Sequence, residues 1–147
     1  MTDSTPSNTA QSETNPIITV TAVIQESPYQ VSLSDGEHQW LGDEPLSAGG
    51  LNTGPSPTSL LLSSLGACTS ITLKMYASRK AWPLEEVLVK LAFNPEGKPE
   101  NGNQITRQIT LIGELDETQR KRLLQVANAC PIHKVLTGQI EIATDLV

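Results

Sequence analysis

Residues 57–81 constrain the fold of this chain more than any other stretch. Ser56 is placed to cap a helix, and Pro57 falls at the first helical position, where its missing N–H costs nothing. Trp82-Pro83 ends it, because the residue before a proline is pushed out of the helical region. The segment Pro57 to Ala81 therefore predicts a helix of about 25 residues, a rod of about 37 Å. That length spans the whole of a compact domain of this size. Its apolar residues Leu60, Leu61, Leu62, Leu65, Ala67, Ile71, Leu73 and Met75 do not share one stripe. A helix that is apolar on several faces has to be covered on several faces. One small sheet covers one side, so a second subunit is the economical expectation; folding another helix of the same chain over the open side is the alternative.

The other elements are expected to build around this rod. Ile18 to Ile24 reads as a half-buried strand, and Gln30–Ser34 and His38–Leu41 as a hairpin turning on Asp35-Gly36 in type I′ geometry. Residues 42–57 are rich in Gly, Pro, Ser and Asn and read as a loop. Val87 to Phe93 alternates, with Val87, Val89, Leu91 and Phe93 inward, and pairs with a returning strand from Ile105 to Leu115. Asp116 opens a second helix, with Gln119 placed to complete a capping box. Leu123, Val126, Ala127 and Cys130 fall on its core side, and a short turn follows from Pro131 to Gly138. Gln139 to Ala143 reads as a final strand. Strands and helices in this order give an α+β class rather than an alternating parallel sheet. Residues 1–16 offer nothing to bury and read as a disordered tail, leaving 17–147 as one domain.

Composition excludes several functions. The net charge of −6 argues against a nucleic-acid surface, which needs clustered Lys and Arg. No run approaches the ~20 apolar residues of a membrane span, and the N-terminus lacks the basic and apolar regions of a secretory signal. A cytoplasmic location is expected, where a pair of cysteines serves catalysis or metal binding more often than a permanent staple.

The two cysteines, Cys68 and Cys130, carry the chemistry. Cys130 would cap the turn that starts at Pro131, where unpaired N–H groups favour a thiolate, and His133 lies in the same turn. The plain reading of Cys130 is a small buried hydrophobe before a helix-breaking proline. Cys68 lies mid-helix, with Ser64 and Thr72 one turn to either side, so no helix end assists it. Gly66 and Ala67 leave room for another backbone or a substrate to come close, although a cysteine on an apolar helix also serves simply as packing. Cys68, Cys130, His133 and His38 could supply four ligands to zinc, but only Cys130 and His133 are closely spaced, and no metal or other cofactor is expected.

Several motifs resemble the OsmC/Ohr family, named for osmotically inducible protein C and organic hydroperoxide resistance protein. They are Asp43-Glu44-Pro45, Gly49-Gly50, Gly54-Pro55-Ser56-Pro57, Leu65-Gly66-Ala67-Cys68-Thr69, Met75-Tyr76-Ala77, Trp82-Pro83-Leu84, Gly113-Glu114-Leu115 and Cys130-Pro131-Ile132-His133. The likeness runs from Ile18 to Val147 and is nearest to the OsmC-like branch. It implies an intertwined homodimer, with antiparallel-rich sheets around long central helices and active sites at the subunit interface. It implies a peroxidase for organic hydroperoxides, with Cys68 as the attacking thiolate and Cys130 as the resolving thiol. A dithiol reductant, lipoyl or thioredoxin-like, would restore the pair. The arginine and glutamate that activate the first thiolate in the family's peroxidases have no counterpart at their motif positions. Thr58 stands where the glutamate is expected, and no arginine precedes Arg79. Thr69, Thr58, His133, His38 and Arg79 from a second subunit are the supporting candidates. A non-catalytic small-molecule-binding protein or a redox sensor on the same fold remain the alternatives.

Overall fold

A computed structural model of the chain describes residues 16–147, so the expected tail falls, but for Pro16, outside the described residues. The helix foreseen at residues 57–81 is α1, Pro57–Arg79. Ser56 accepts the Ser59 N–H and Pro57 occupies the first turn, as the capping pattern requires. It stops two residues earlier than expected, since Ala81 takes a left-handed φ of 53° before Trp82-Pro83.

Ahead of α1 lies an antiparallel sheet of β1 (Thr21–Ile24), β2 (Val31–Ser34) and β3 (Gln39–Gly42), in that spatial order. Strand β1 is shorter than the seven-residue run of the sequence, because it pairs with β2 only from Thr21 to Ile24. The turn between β2 and β3 also departs from expectation. Ser34 pairs with Gln39, so four residues close it, and only Gly36 among them has a positive φ. Asp35 takes over the work of a type I′ pair: its Oδ1 accepts the N–H groups of Glu37 and His38. The side chain satisfies the loop backbone, so a tight two-residue turn is unnecessary.

The loop from Asp43 to Ser56 delivers the start of α1, and a short 3₁₀ turn at Leu46–Ala48 lies within it. Buried Asp43 ties it: its carboxylate accepts the Thr53 hydroxyl at 2.7 Å, the Thr53 N–H at 3.1 Å and the Glu44 N–H at 2.8 Å. The Thr53 hydroxyl, with the Thr53 and Glu44 N–H groups, holds the Asp43 carboxyl below its ordinary 3.8 against the opposing effect of burial. A carboxyl lowered in the folded state stabilises above its unfolded value and loses that contribution as pH falls through the folded one. Thr53→Val is therefore expected to move the acid-unfolding midpoint, followed by circular dichroism, to higher pH; an unmoved midpoint would deny the loop this tie.

β4 (Glu86–Phe93) and β5 (Ile105–Ile112) form the long hairpin, in register from Glu86 opposite Ile112 to Phe93 opposite Ile105. Val87, Val89 and Leu91 face inward as expected, whereas Phe93 turns partly out at the strand end. α2 (Glu117–Ala127) carries the full capping box between Asp116 and Gln119. α3 (Pro131–Thr137) follows after Cys130. The core joins Leu73 and Ala77 of α1, Leu84, Leu115, and Leu123 and Ala127 of α2.

Two further expectations are corrected. Residues 139–143 form no strand: the segment alternates, but among the described residues no backbone pairs with it, and Ile140 and Ile142 stay exposed. By length and composition alone α1 does meet the requirement for a membrane span, with a mean hydropathy of 1.2 over its most apolar window. One stripe of it, Leu65, Thr69, Leu73 and Ala77, repeats every fourth residue and is buried against the rest of the chain. Outside that stripe Leu61, Ile71 and Met75 remain 40–58% exposed.

Candidate functional site

The two cysteines lie 62 positions apart and meet beside the first turn of α3. Cys130 caps that helix, and its Sγ accepts the His133 N–H at 3.4 Å. Cys68, from the middle of α1, accepts the Ile132 N–H at 3.5 Å from the same turn. Both are free cysteines. Cys130 is fully buried, whereas Cys68 keeps part of its surface exposed.

The local sequence explains this placement. Pro131 cannot extend α2, so a new helix starts there, with Cys130 at its cap. The core-side spacing of Leu123, Ala127 and Cys130 then turns the thiol inward, toward α1. The space left by Gly66 is filled from within the chain. A Cβ at that position would come within 3.0 Å of the Leu91 side chain, so the glycine lets α1 lie close on β4.

A third residue, Arg107 of β5, completes the cluster. Its Nη1 donates to the Thr69 hydroxyl at 3.0 Å, and its Nη2 to Asn128 Oδ1 at 2.9 Å and to His133 Nδ1 at 3.1 Å. Because arginine only donates, His133 accepts at Nδ1 and carries its proton on Nε2. Burial, and after it the Arg107 charge, pushes the His133 pKa below its ordinary 6.5, which keeps the ring neutral at neutral pH. Thr69 is fully buried, donates to the Leu65 carbonyl at 2.7 Å and lies 3.9 Å from Cys130 Sγ. Burial pushes the Cys130 thiol up. The His133 N–H, the neighbouring Cys68 thiol, the Thr69 hydroxyl and the Arg107 charge outweigh it, leaving the net shift downward. Beside the cluster opens a cavity of 370 Å³, lined by Arg107, His133 and Asn128 together with apolar Leu65, Ile105 and Leu136.

The other sequence candidates lie elsewhere. His38 sits at the β2–β3 turn, where its Nδ1 is 3.0 Å from Asp35. Thr58 is exposed in the first turn of α1 and Arg79 exposed in its last. Among the described residues, no three His, Cys, Asp or Glu side chains gather as a metal site would. The sequence reading missed Arg107, although a signal was present. Ile105, Arg107, Ile109 and Leu111 alternate on the inward face of β5, and an arginine in such a row has to find partners inside.

A family model described as OsmC-like protein matches residues 50–145, more than half of the chain and both cysteines. The chain belongs to the OsmC-like family. No match is found among curated proteins. The OsmC-like protein of Mycoplasma pneumoniae shares the fold at a TM-score of 0.72 and 24% identity, over 84% of this chain and 89% of that one. An organic hydroperoxide resistance protein OsmC from Legionella pneumophila does so at 0.62 and 20%, over 84% and 91%. The organic hydroperoxide resistance protein OhrB of Bacillus subtilis does so at 0.57 and 22%, over 83% and 91%. At these identities the likeness establishes the OsmC fold, with its antiparallel sheets and central helix.

Proposed function

We propose that this OsmC-like protein is a thiol-dependent peroxidase that reduces organic hydroperoxides in oxidative-stress defence. The observation that carries the reading is the meeting of two free cysteines, one partly exposed and one buried, on adjacent N–H groups of one turn. The names of two structural relatives, hydroperoxide resistance proteins, point the same way. The Cys68 thiolate attacks the distal oxygen of the hydroperoxide, the O–O bond breaks, and the alkoxide leaves as alcohol after taking a proton. Cys68 is then a sulfenic acid. Cys130 attacks its sulfur, releases water and forms the Cys68–Cys130 disulfide. A dithiol, lipoyl or thioredoxin-like, returns both thiols by exchange and is itself oxidised to a disulfide.

The reading includes a homodimer in the cytoplasm. Exposed Ile71 and Met75 on α1, and the unladdered residues 139–147 with Ile140 and Ile142 outward, support a second copy as their cover. Light scattering at micromolar concentration is expected to give twice the 15.8 kDa chain mass, and a monomeric mass would remove this part. The functional test is stoichiometric. Adding tert-butyl hydroperoxide to the reduced protein should consume two thiols per chain with one equivalent of peroxide and leave an intrachain disulfide. Thr58 at the position of the family's glutamate favours a second reading, a non-catalytic ligand-binding or redox-sensing member. Unreacted thiols, or a disulfide that no dithiol recycles, would favour that reading.

A further inference from the structure

Arg107 has no carboxylate partner among the described residues: the ion pairs found there are His38 with Asp35 and Lys121 with Glu117. Its acceptors, Thr69 Oγ1, Asn128 Oδ1 and His133 Nδ1, are all neutral. A guanidinium turned into the interior with only neutral acceptors favours a negative charge close by. The groups in this cluster able to carry one are the sulfurs. Cys130 lies one hydroxyl away, across Thr69, and Cys68 lies next to Cys130.

We propose that Arg107 is a positioning residue that holds one negative charge on the Cys68–Cys130 pair through the Thr69 hydroxyl, so that Cys130 serves as the base for Cys68. The inference rests on the thiol-peroxidase reading above and deepens it. The resting pair carries one proton, on Cys68, with the charge on buried Cys130. Cys130 takes that proton, and the Cys68 thiolate attacks the hydroperoxide. The departing alkoxide recovers the proton from Cys130 and leaves as alcohol. Cys130, again a thiolate, attacks the sulfenic sulfur, and the hydroxide that leaves takes a proton from solvent. One hydroperoxide is reduced, two thiols are oxidised, and the charge returns to solvent as hydroxide.

Thr69 suits the linking role. Its hydroxyl hydrogen rests on the Leu65 carbonyl while its oxygen accepts from Arg107, and rotation can turn that hydrogen toward a charged Cys130 sulfur. The titratable and charged groups facing Cys130 are Cys68 from α1, Arg107 from β5 and His133 from α3, while α2 and its cap present only the uncharged Asn128.

The test reads the thiols directly and needs no turnover. Thiolate absorbance against pH, and iodoacetamide alkylation at pH 7, are measured on the full reduced chain, on Arg107→Met, Arg107→Lys and Thr69→Val. Arg107→Met is expected to move thiolate formation to higher pH and slow alkylation about tenfold, with Arg107→Lys recovering part of the loss. Thr69→Val keeps shape and charge but removes the link, and is expected to shift the titration in the same direction. A folded Arg107→Met with unchanged titration and alkylation would overturn the proposal. If Arg107→Met does not fold, an unchanged Thr69→Val overturns it instead. A wild-type chain that shows these shifts yet consumes no peroxide would sink the peroxidase reading and leave the charge assignment standing.

Discussion

Cys68→Ser is expected to abolish hydroperoxide reduction, while Cys130→Ser still consumes one equivalent per chain and then stalls as a sulfenic acid. The asymmetry comes from the geometry. Cys68 is a partly exposed residue and the better placed of the two to meet a solute, whereas Cys130 has no accessible surface. A buried thiol can resolve an oxidised neighbour but cannot meet a bulky peroxide first. Serine at position 68 keeps the size and leaves an alcohol that does not attack peroxide oxygen at neutral pH. Serine at position 130 leaves the first step its nucleophile and removes only the second. If Cys130 is also the base for Cys68, that single equivalent is consumed more slowly than in the wild type. Mass spectrometry after dimedone trapping distinguishes the outcomes: a dimedone adduct on Cys68 in the Cys130→Ser chain, and none in Cys68→Ser. Equal residual turnover in both variants would contradict the division of roles.

Leu73→Ala is expected to cost about 2–5 kcal/mol of folding stability, the range for a leucine cut back to alanine in a closed core. Leu73 has no exposed surface and packs with Ala77, Leu84, Leu115, Leu123 and Ala127, so its removal leaves a cavity where α1 meets α2. For a chain of this length the melting temperature should fall by roughly 5–15 °C. The same contact sets how α1 lies on α2, and so where Cys68 lies relative to Cys130, three residues beyond the buried Ala127. The slower disulfide formation expected in this variant, at a temperature where it remains folded, checks whether the core also aligns the thiols. An unchanged melting temperature would mean that Leu73 is not the centre of the packing.

Much of the architecture was legible because its causes are local. Ser56-Pro57 starts α1, and Asp116 with Gln119 starts α2, through hydrogen bonds that close within four residues. The inward faces of β4 follow from alternation, and Cys130 as the cap of α3 follows from the proline after it. The exposed apolar face of α1 was also visible as a pattern that one sheet could not cover. Where local cues competed, they misled. Asp35-Gly36 suggested a two-residue turn, but the Asp35 carboxylate caps the backbone of a four-residue loop. Residues 139–143 have the alternation of a strand, yet a strand exists only through its neighbour's backbone, and the described residues supply none there.

By itself the sequence determined the helices, the strand hairpins and the presence of two thiols in distinct settings, since capping and periodicity act over a few residues. The tertiary structure decided which distant side chains share a site. Arg107, 38 residues from Thr69 along the chain, reaches it only because β5 packs its inward face toward α1 and the turn of α3. His38, a candidate by residue type alone, is held instead by Asp35 at the far hairpin. Charge acts through space and not along the chain, so which cation lies beside the thiols was fixed by packing.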